Sequence, residues 1–126
     1  MQFNKHSSIY LQIAEYLYDR ILSRDWQDGE RIPSIRDMAV QLEVNPNTVT
    51  RTYSLLLEEG TLENQRGIGY FTTQNARERV LNRKRDDFIR HDIPALLETM
   101  QQLGISEEDL LYHLRSYHKE TRHEEE

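Results

Sequence analysis

Apolar residues recur along this chain at the three- and four-residue spacing of helices, and the breaks between runs hold residues that cap, turn or stop a helix. Ile9, Ile13, Tyr16, Leu17 and Ile21 fall on one side of a helix that Ser7 or Ser8 can cap and that ends near Arg24. Ile35, Met38, Ala39 and Leu42 predict a second helix of about two turns, with Ser34 at its N-cap and Asp37 three residues later. The turn Glu43, Val44, Asn45 then delivers Pro46 to the first position of a third helix. Proline's missing N–H is of no consequence there, and Asn45 is the natural cap. Val49, Tyr53, Leu56 and Leu57 share one sector of this helix, which runs to about Glu59, and Asn47, Thr50, Arg51 and Ser54 lie opposite.

Gly60 reads as the stop. Leu62 to Asn64 can then pair with Tyr70 to Thr73 across Gln65, Arg66, Gly67, Ile68 and Gly69. Two short helices joined by a tight turn and followed by a glycine-bearing hairpin outline a winged helix-turn-helix, a DNA-reading unit, over residues 1–73. Trp26, in the turn-rich link from Asp25 to Gly29, is expected to cap the core.

Residues 74–126 differ in character. Arg77, Arg79, Arg83, Lys84, Arg85 and Arg90 alternate with Glu78, Asp86 and Asp87, while Val80, Leu81, Phe88 and Ile89 supply sparse apolar contacts. Pro94 must kink the continuing helix or restart it. Leu96, Leu97, Met100 and Leu103 follow until Gly104, and Ser106 with Asp109 makes a capping box before Leu110, Leu111, Leu114 and Tyr117. Two amphipathic helices alone bury too little to be stable, and pairing of this two-helix arm with the same helices of a second chain would solve that. The fold class is therefore mostly α with a small β-hairpin wing. An irregular lead-in is expected at residues 1–6 and fraying at the acidic C-terminus.

Composition changes this picture in three ways. The 126 residues suffice for one small domain and an appendage, and a 37% apolar content against 30% charged suggests surface buried against a partner. The absence of cysteine removes disulfides, thiolate metal sites and a cysteine nucleophile, and with no signal peptide or membrane-spanning run the expected location is cytoplasmic. The net charge of −6 argues against nucleic acid at first sight, but charge is distributed unevenly. Val44 to Leu57 contains one arginine and no acid, and Asn64 to Arg77 two arginines and no acid. Acids gather at Glu107, Glu108, Asp109 and Glu124 to Glu126.

The polar face of the third helix carries side chains that suit the major groove: arginine forks onto guanine, asparagine pairs with adenine, and threonine meets phosphate or a thymine methyl. Arg66, at the tip of the hairpin, can reach a minor groove or a phosphate. Catalytic patterns are missing. His113 and His118 are five residues apart, off the spacing of a helical zinc pair, and Gly67 and Gly69 sit in a hairpin and open no helix. No enzyme, cofactor or metal is expected. A winged-helix module that binds protein in place of DNA is the competing interpretation, and the acid-free face of the third helix argues against it.

Gly29, Arg31, Ile32, Pro33, Ser34, Ile35, Arg36, Asp37, Met38 and Ala39 resemble the G-x-x-L-P-S-x-R-x-L-A signature of GntR-type bacterial transcriptional regulators, with Ile and Met for its two leucines. Val44 to Val49, Arg51, Tyr53, Leu56, Glu59, Gly60, Arg66, Gly67, Gly69 and Phe71 continue the match, and the V-N-P-N-T-V form and short tail resemble the YtrA subfamily. The resemblance covers residues 7–73. It implies a homodimeric regulator, expected to be a repressor, on an inverted-repeat operator in double-stranded DNA. The expected DNA contacts are Arg36, Asn45, Asn47, Thr48, Thr50, Arg51, Ser54, Arg66 and Gly67, although the family often has an arginine where Thr50 stands. The tail is too short for the usual effector domain; a small-molecule effector between dimerising helices is left open, and nothing in the sequence identifies one.

Overall fold

The computed structural model describes residues 7–125, with side chains described through Arg122; the lead-in expected at residues 1–6 lies outside the described residues. Six α-helices and one hairpin follow in the order α1 (Ile9–Leu22), α2 (Ile35–Leu42), α3 (Pro46–Glu58), β1 (Leu62–Gln65), β2 (Gly69–Thr72), α4 (Ala76–Asp87), α5 (Ile93–Leu103) and α6 (Glu107–Glu125). The chain divides into two units, Met1–Lys84 and Arg85–Glu126.

In the first unit, four helices and the hairpin contribute to one core: Ile13, Leu17 and Ile21 of α1, Met38 of α2, Val49, Tyr53 and Leu56 of α3, Leu62 of β1, and Val80 of α4. The buried face of α1 is rotated from the expected one. Ala14 and Tyr18 are buried, Ile9 is exposed and Tyr16 only half-buried, because the first turn projects beyond the core. Ser8 stands at the N-cap of α1 but makes no side-chain cap bond.

The helix-turn-helix is set by local chemistry. Ser34 Oγ accepts the Asp37 N–H at 3.1 Å and opens α2. The helix closes through two bonds, Glu43 N–H to the Val40 carbonyl (3.3 Å) and Val44 N–H to that of Ala39 (3.0 Å). This is a Schellman ending, and its left-handed position holds Glu43 (φ 56°), where glycine is usual. Asn45 then caps α3 by accepting the Asn47 N–H at 2.8 Å, with Pro46 in the first turn. Gly60, at φ 77°, repeats the Schellman ending for α3 through Thr61 N–H to the Leu56 carbonyl.

The hairpin pairs Leu62 with Thr72, Glu63 with Phe71, Asn64 with Tyr70 and Gln65 with Gly69, a register that leaves Thr73 outside the ladder. The turn is tight, with Ile68 N–H on the Gln65 carbonyl and Gly67 at φ 79°. The segment before α2 adds to the free edge of β2: Ile32 N–H bonds the Tyr70 carbonyl, Thr72 N–H that of Glu30, and Arg31 bridges Phe71. Thr72, fully buried, donates its hydroxyl to the Gln27 carbonyl and accepts the Glu30 N–H. The hairpin is thus stapled to the link that holds Trp26, which packs against the core as expected.

This unit runs past residue 73, where the change in sequence character sets the expected boundary. Ala76 and Val80 are buried in the same core, Lys84 bonds Glu15 at 2.5 Å, and Arg83 pairs with Glu59, which also accepts the Tyr18 hydroxyl. Burial foremost, and then that bond to Glu59, pushes the Tyr18 phenol well above its usual range.

In the second unit the Pro94 question has a specific answer. Phe88–Asp92 is a π-helical turn, closed by Ile93 N–H on the Phe88 carbonyl. The wider turn makes room for the proline ring, which in a regular helix would strike the carbonyl four residues back. Gly104 (φ 68°) ends α5, and the expected capping box opens α6, with Asp109 N–H on Ser106 Oγ (3.1 Å) and Ser106 N–H on Asp109 Oδ2 (3.0 Å). The Ser106 N–H foremost, and then the Ser106 hydroxyl, hold the Asp109 carboxyl below its usual range. The acidic end, expected to fray, is helical through Glu125.

Candidate nucleic-acid interface

At about 100° per residue, Asn47, Thr50, Arg51 and Ser54 occupy one sector of α3 about 100° wide, opposite the sector of Val49, Thr52, Tyr53 and Leu56. Burial follows the division: the first four are exposed, the second four fully buried. Thr48 lies at the edge, half-buried. Two hydrogen bonds and one ring contact fix the angle of α3. Thr52 Oγ1, inside the core, donates to the Tyr10 carbonyl at 2.8 Å and ties α3 to α1. Tyr53 Oη donates to the Pro33 carbonyl at 2.7 Å and ties it to the start of α2. The Tyr53 ring meets Tyr70 of β2 edge-on at 5.0 Å and ties α3 to the hairpin.

The expected contact residues are not equally available. Arg36 is exposed on α2, one residue after the helix begins, and Arg66 is exposed at the hairpin tip. Gly67 beside it has open space where a Cβ would stand. Asn47 and Ser54 are exposed. Asn45 has its side-chain oxygen committed to capping, which leaves its NH2 group as donor, and the Thr50 hydroxyl donates to the Pro46 carbonyl at 3.0 Å, which leaves its methyl and lone pairs. The Arg51 guanidinium lies over the Tyr10 ring, 3.8 Å from its centroid.

Ion pairing is uneven across the unit. Arg20 pairs with Asp25, Arg83 with Glu59 and Lys84 with Glu15. Arg36, Arg51 and Arg66 form no ion pair among the described residues. Two further features were not assigned from the sequence. Arg31 lays its guanidinium across Gly69, where a Cβ would come within 3.1 Å of its Nε, so a second cation stands beside the turn end of the hairpin. Its signal is its place within the Gly29 to Ala39 motif. Glu58 falls in the same sector of α3 as Asn47, about 16 Å further along the axis, and sets an acidic limit to the face.

The sequence profile described as "Bacterial regulatory proteins, gntR family" matches residues 9–72. This chain belongs to the GntR family. Along most of its length it is similar to the HTH-type transcriptional regulator YhcF of Bacillus subtilis, at 34% identity over 92% of this chain and 94% of YhcF. It is also similar to the HTH-type transcriptional repressor YtrA of the same organism, at 30% identity over 87% and 85% of the two chains. Among solved structures, a GntR-family regulator from Bacteroides thetaiotaomicron superposes with a TM-score of 0.79 and 31% identity, over 90% of this chain and 99% of that one.

The GntR chain is therefore a transcriptional regulator with a DNA-binding helix-turn-helix, and the protein-only and catalytic alternatives give way to that assignment. No helix among the described residues is long and apolar enough to cross a membrane.

Proposed function

We propose that this GntR-family chain acts in the cytoplasm as a homodimeric repressor, placing two copies of α3 in successive major grooves of an inverted-repeat operator. Residues 1–73 read DNA, and the arm of residues 74–126 dimerises through its part beyond Lys84. The N-terminal half of α3 enters the groove, with Asn47, Arg51 and Ser54 toward base edges and Asn45, Thr48 and Thr50 at the rim. Arg36 clamps phosphate or a base edge from α2, and Arg66 with Gly67 approaches the minor groove. Repression is supported by the likeness to YtrA, whose name records that action.

The observation that carries the proposal is that Arg36, Arg51 and Arg66 form no ion pair among the described residues and that the exposed sector of α3 from Asn47 to Ser54 holds no acid, whereas Arg20, Arg83 and Lys84 of the same unit are matched to carboxylates. An arginine without a carboxylate keeps its full attraction for phosphate. Arg36→Ala and Arg51→Ala are each expected to weaken binding to a duplex selected by the wild type from a randomised pool by about 5- to 100-fold, with an unchanged melting temperature. Wild-type affinity in both would reject the assignment. Glu58→Gln is expected to tighten binding to random duplex by about two- to fivefold at low salt, because it removes a repulsive charge from the same sector. No change in a fluorescence titration would place the docked face elsewhere.

A further inference from the structure

Tyr10, half-buried in the first turn of α1 and outside the core cluster, is tied to α3 twice. Its carbonyl accepts the hydroxyl of fully buried Thr52, and its ring carries the Arg51 guanidinium at 3.8 Å. Ser8, Ile9 and Tyr10 on one side and Asn47, Thr48 and Arg51 on the other line a single groove between the first turns of the two helices. An arginine side chain on a helix surface samples many rotamers in water, and a contact with a base edge must select one. A ring face beneath the guanidinium selects it beforehand, and a guanidinium stacked flat on a ring keeps its N–H edge free, since its donors lie in its own plane.

We infer that Tyr10 is a positioning residue for DNA recognition, a shelf that holds Arg51 in the orientation that reads the operator. The inference rests on the placement of Arg51 proposed above. Because α1 carries the shelf and α3 the arginine, the buried Thr52 bond becomes part of the recognition apparatus: it keeps the two helices in the register at which ring and guanidinium meet.

The test compares Tyr10→Phe and Tyr10→Leu in the full chain, using the duplex selected by the wild type and a random duplex of equal length. Phenylalanine keeps the π face and is expected to bind within about twofold of wild type. Leucine keeps apolar bulk without the face and is expected to bind the selected duplex about three- to tenfold more weakly, with binding to the random duplex unchanged because net charge is the same. In an Arg51→Ala background, Tyr10→Leu is expected to have no further effect. In the unbound wild type, ring current should shift the Arg51 side-chain protons upfield, and Tyr10→Leu should abolish that shift. A role in stability alone would lower both affinities and the melting temperature together, and would overturn the inference, as would a fully additive double variant or tighter binding by Tyr10→Leu. If Arg51→Ala weakens binding and Tyr10→Leu does not, the shelf is refuted while the placement of Arg51 stands; if Arg51→Ala is without effect, the placement itself falls.

Discussion

Tyr53→Ala is expected to destabilise the first unit by about 3–5 kcal/mol, a large part of the whole stability of a domain this size, and to lower its melting temperature by roughly 15–30 °C. The side chain is fully buried and joins three elements at once: it packs in the core, donates to the Pro33 carbonyl and meets Tyr70 edge-on. Its removal leaves a cavity at the centre of the helix-turn-helix and an unmatched carbonyl just before α2. Tyr53→Phe separates the two effects, since the ring remains and only the hydroxyl goes; about 1–2 kcal/mol is expected. Calorimetry on both variants checks this, and a shift of only a few degrees for alanine would show that the unit is not organised around this ring.

The same residue fixes a dependence on pH. Burial first, then the neighbouring Tyr70 and Asp37, raises the Tyr53 phenol above its ordinary value, so the unfolded chain releases that proton before the folded one does. The contribution is fully present below about pH 10 and is lost as pH climbs beyond it. Tyr18 acts in the same direction.

The helices were legible because their determinants are local. Ser34, Asn45 with Pro46, Gly60, Gly104 and the Ser106–Asp109 box each act within a few residues, and the structure uses each at its expected place. What was hidden depends on partners far apart in sequence. Residues 30–32 join β2 through only a few bonds and carry no alternating pattern. Thr52 and Thr72 are polar residues inside a core, and composition places threonine at a surface. Each is tolerated because a carbonyl brought from elsewhere in the unit accepts its hydroxyl. The Tyr10 shelf belongs to the same class: a tyrosine on the first helix reads as a packing residue until α3 is laid beside it.

Leu114→Glu combined with Leu97→Glu is expected to convert the regulator to a monomer and to reduce affinity for a two-half-site operator by about 10²- to 10⁴-fold, the loss that follows when two linked contacts become independent. The physical ground is the poverty of the second unit's own core. Met100 is the only buried residue described in it, while Phe88, Ile89, Leu96, Leu97, Leu103, Leu111, Leu114 and Tyr117 are all exposed. Leu110, Leu114, Tyr117 and Thr121 recur at intervals of four, three and four residues, the spacing at which one helix seats against another. Helices of these lengths are marginal in water unless an apolar face is covered. Each leucine buried at a dimer interface contributes about 1.5–3 kcal/mol, and a glutamate in its place must be desolvated without a partner. Light scattering should give one chain's mass for the double variant and two for the wild type, with circular dichroism showing helix lost from the arm and Trp26 fluorescence unchanged in the first unit. A wild-type chain that remains monomeric at tens of micromolar, with its arm fully helical, would mean that these leucines face something other than a second copy, and the inverted-repeat operator would lose its basis.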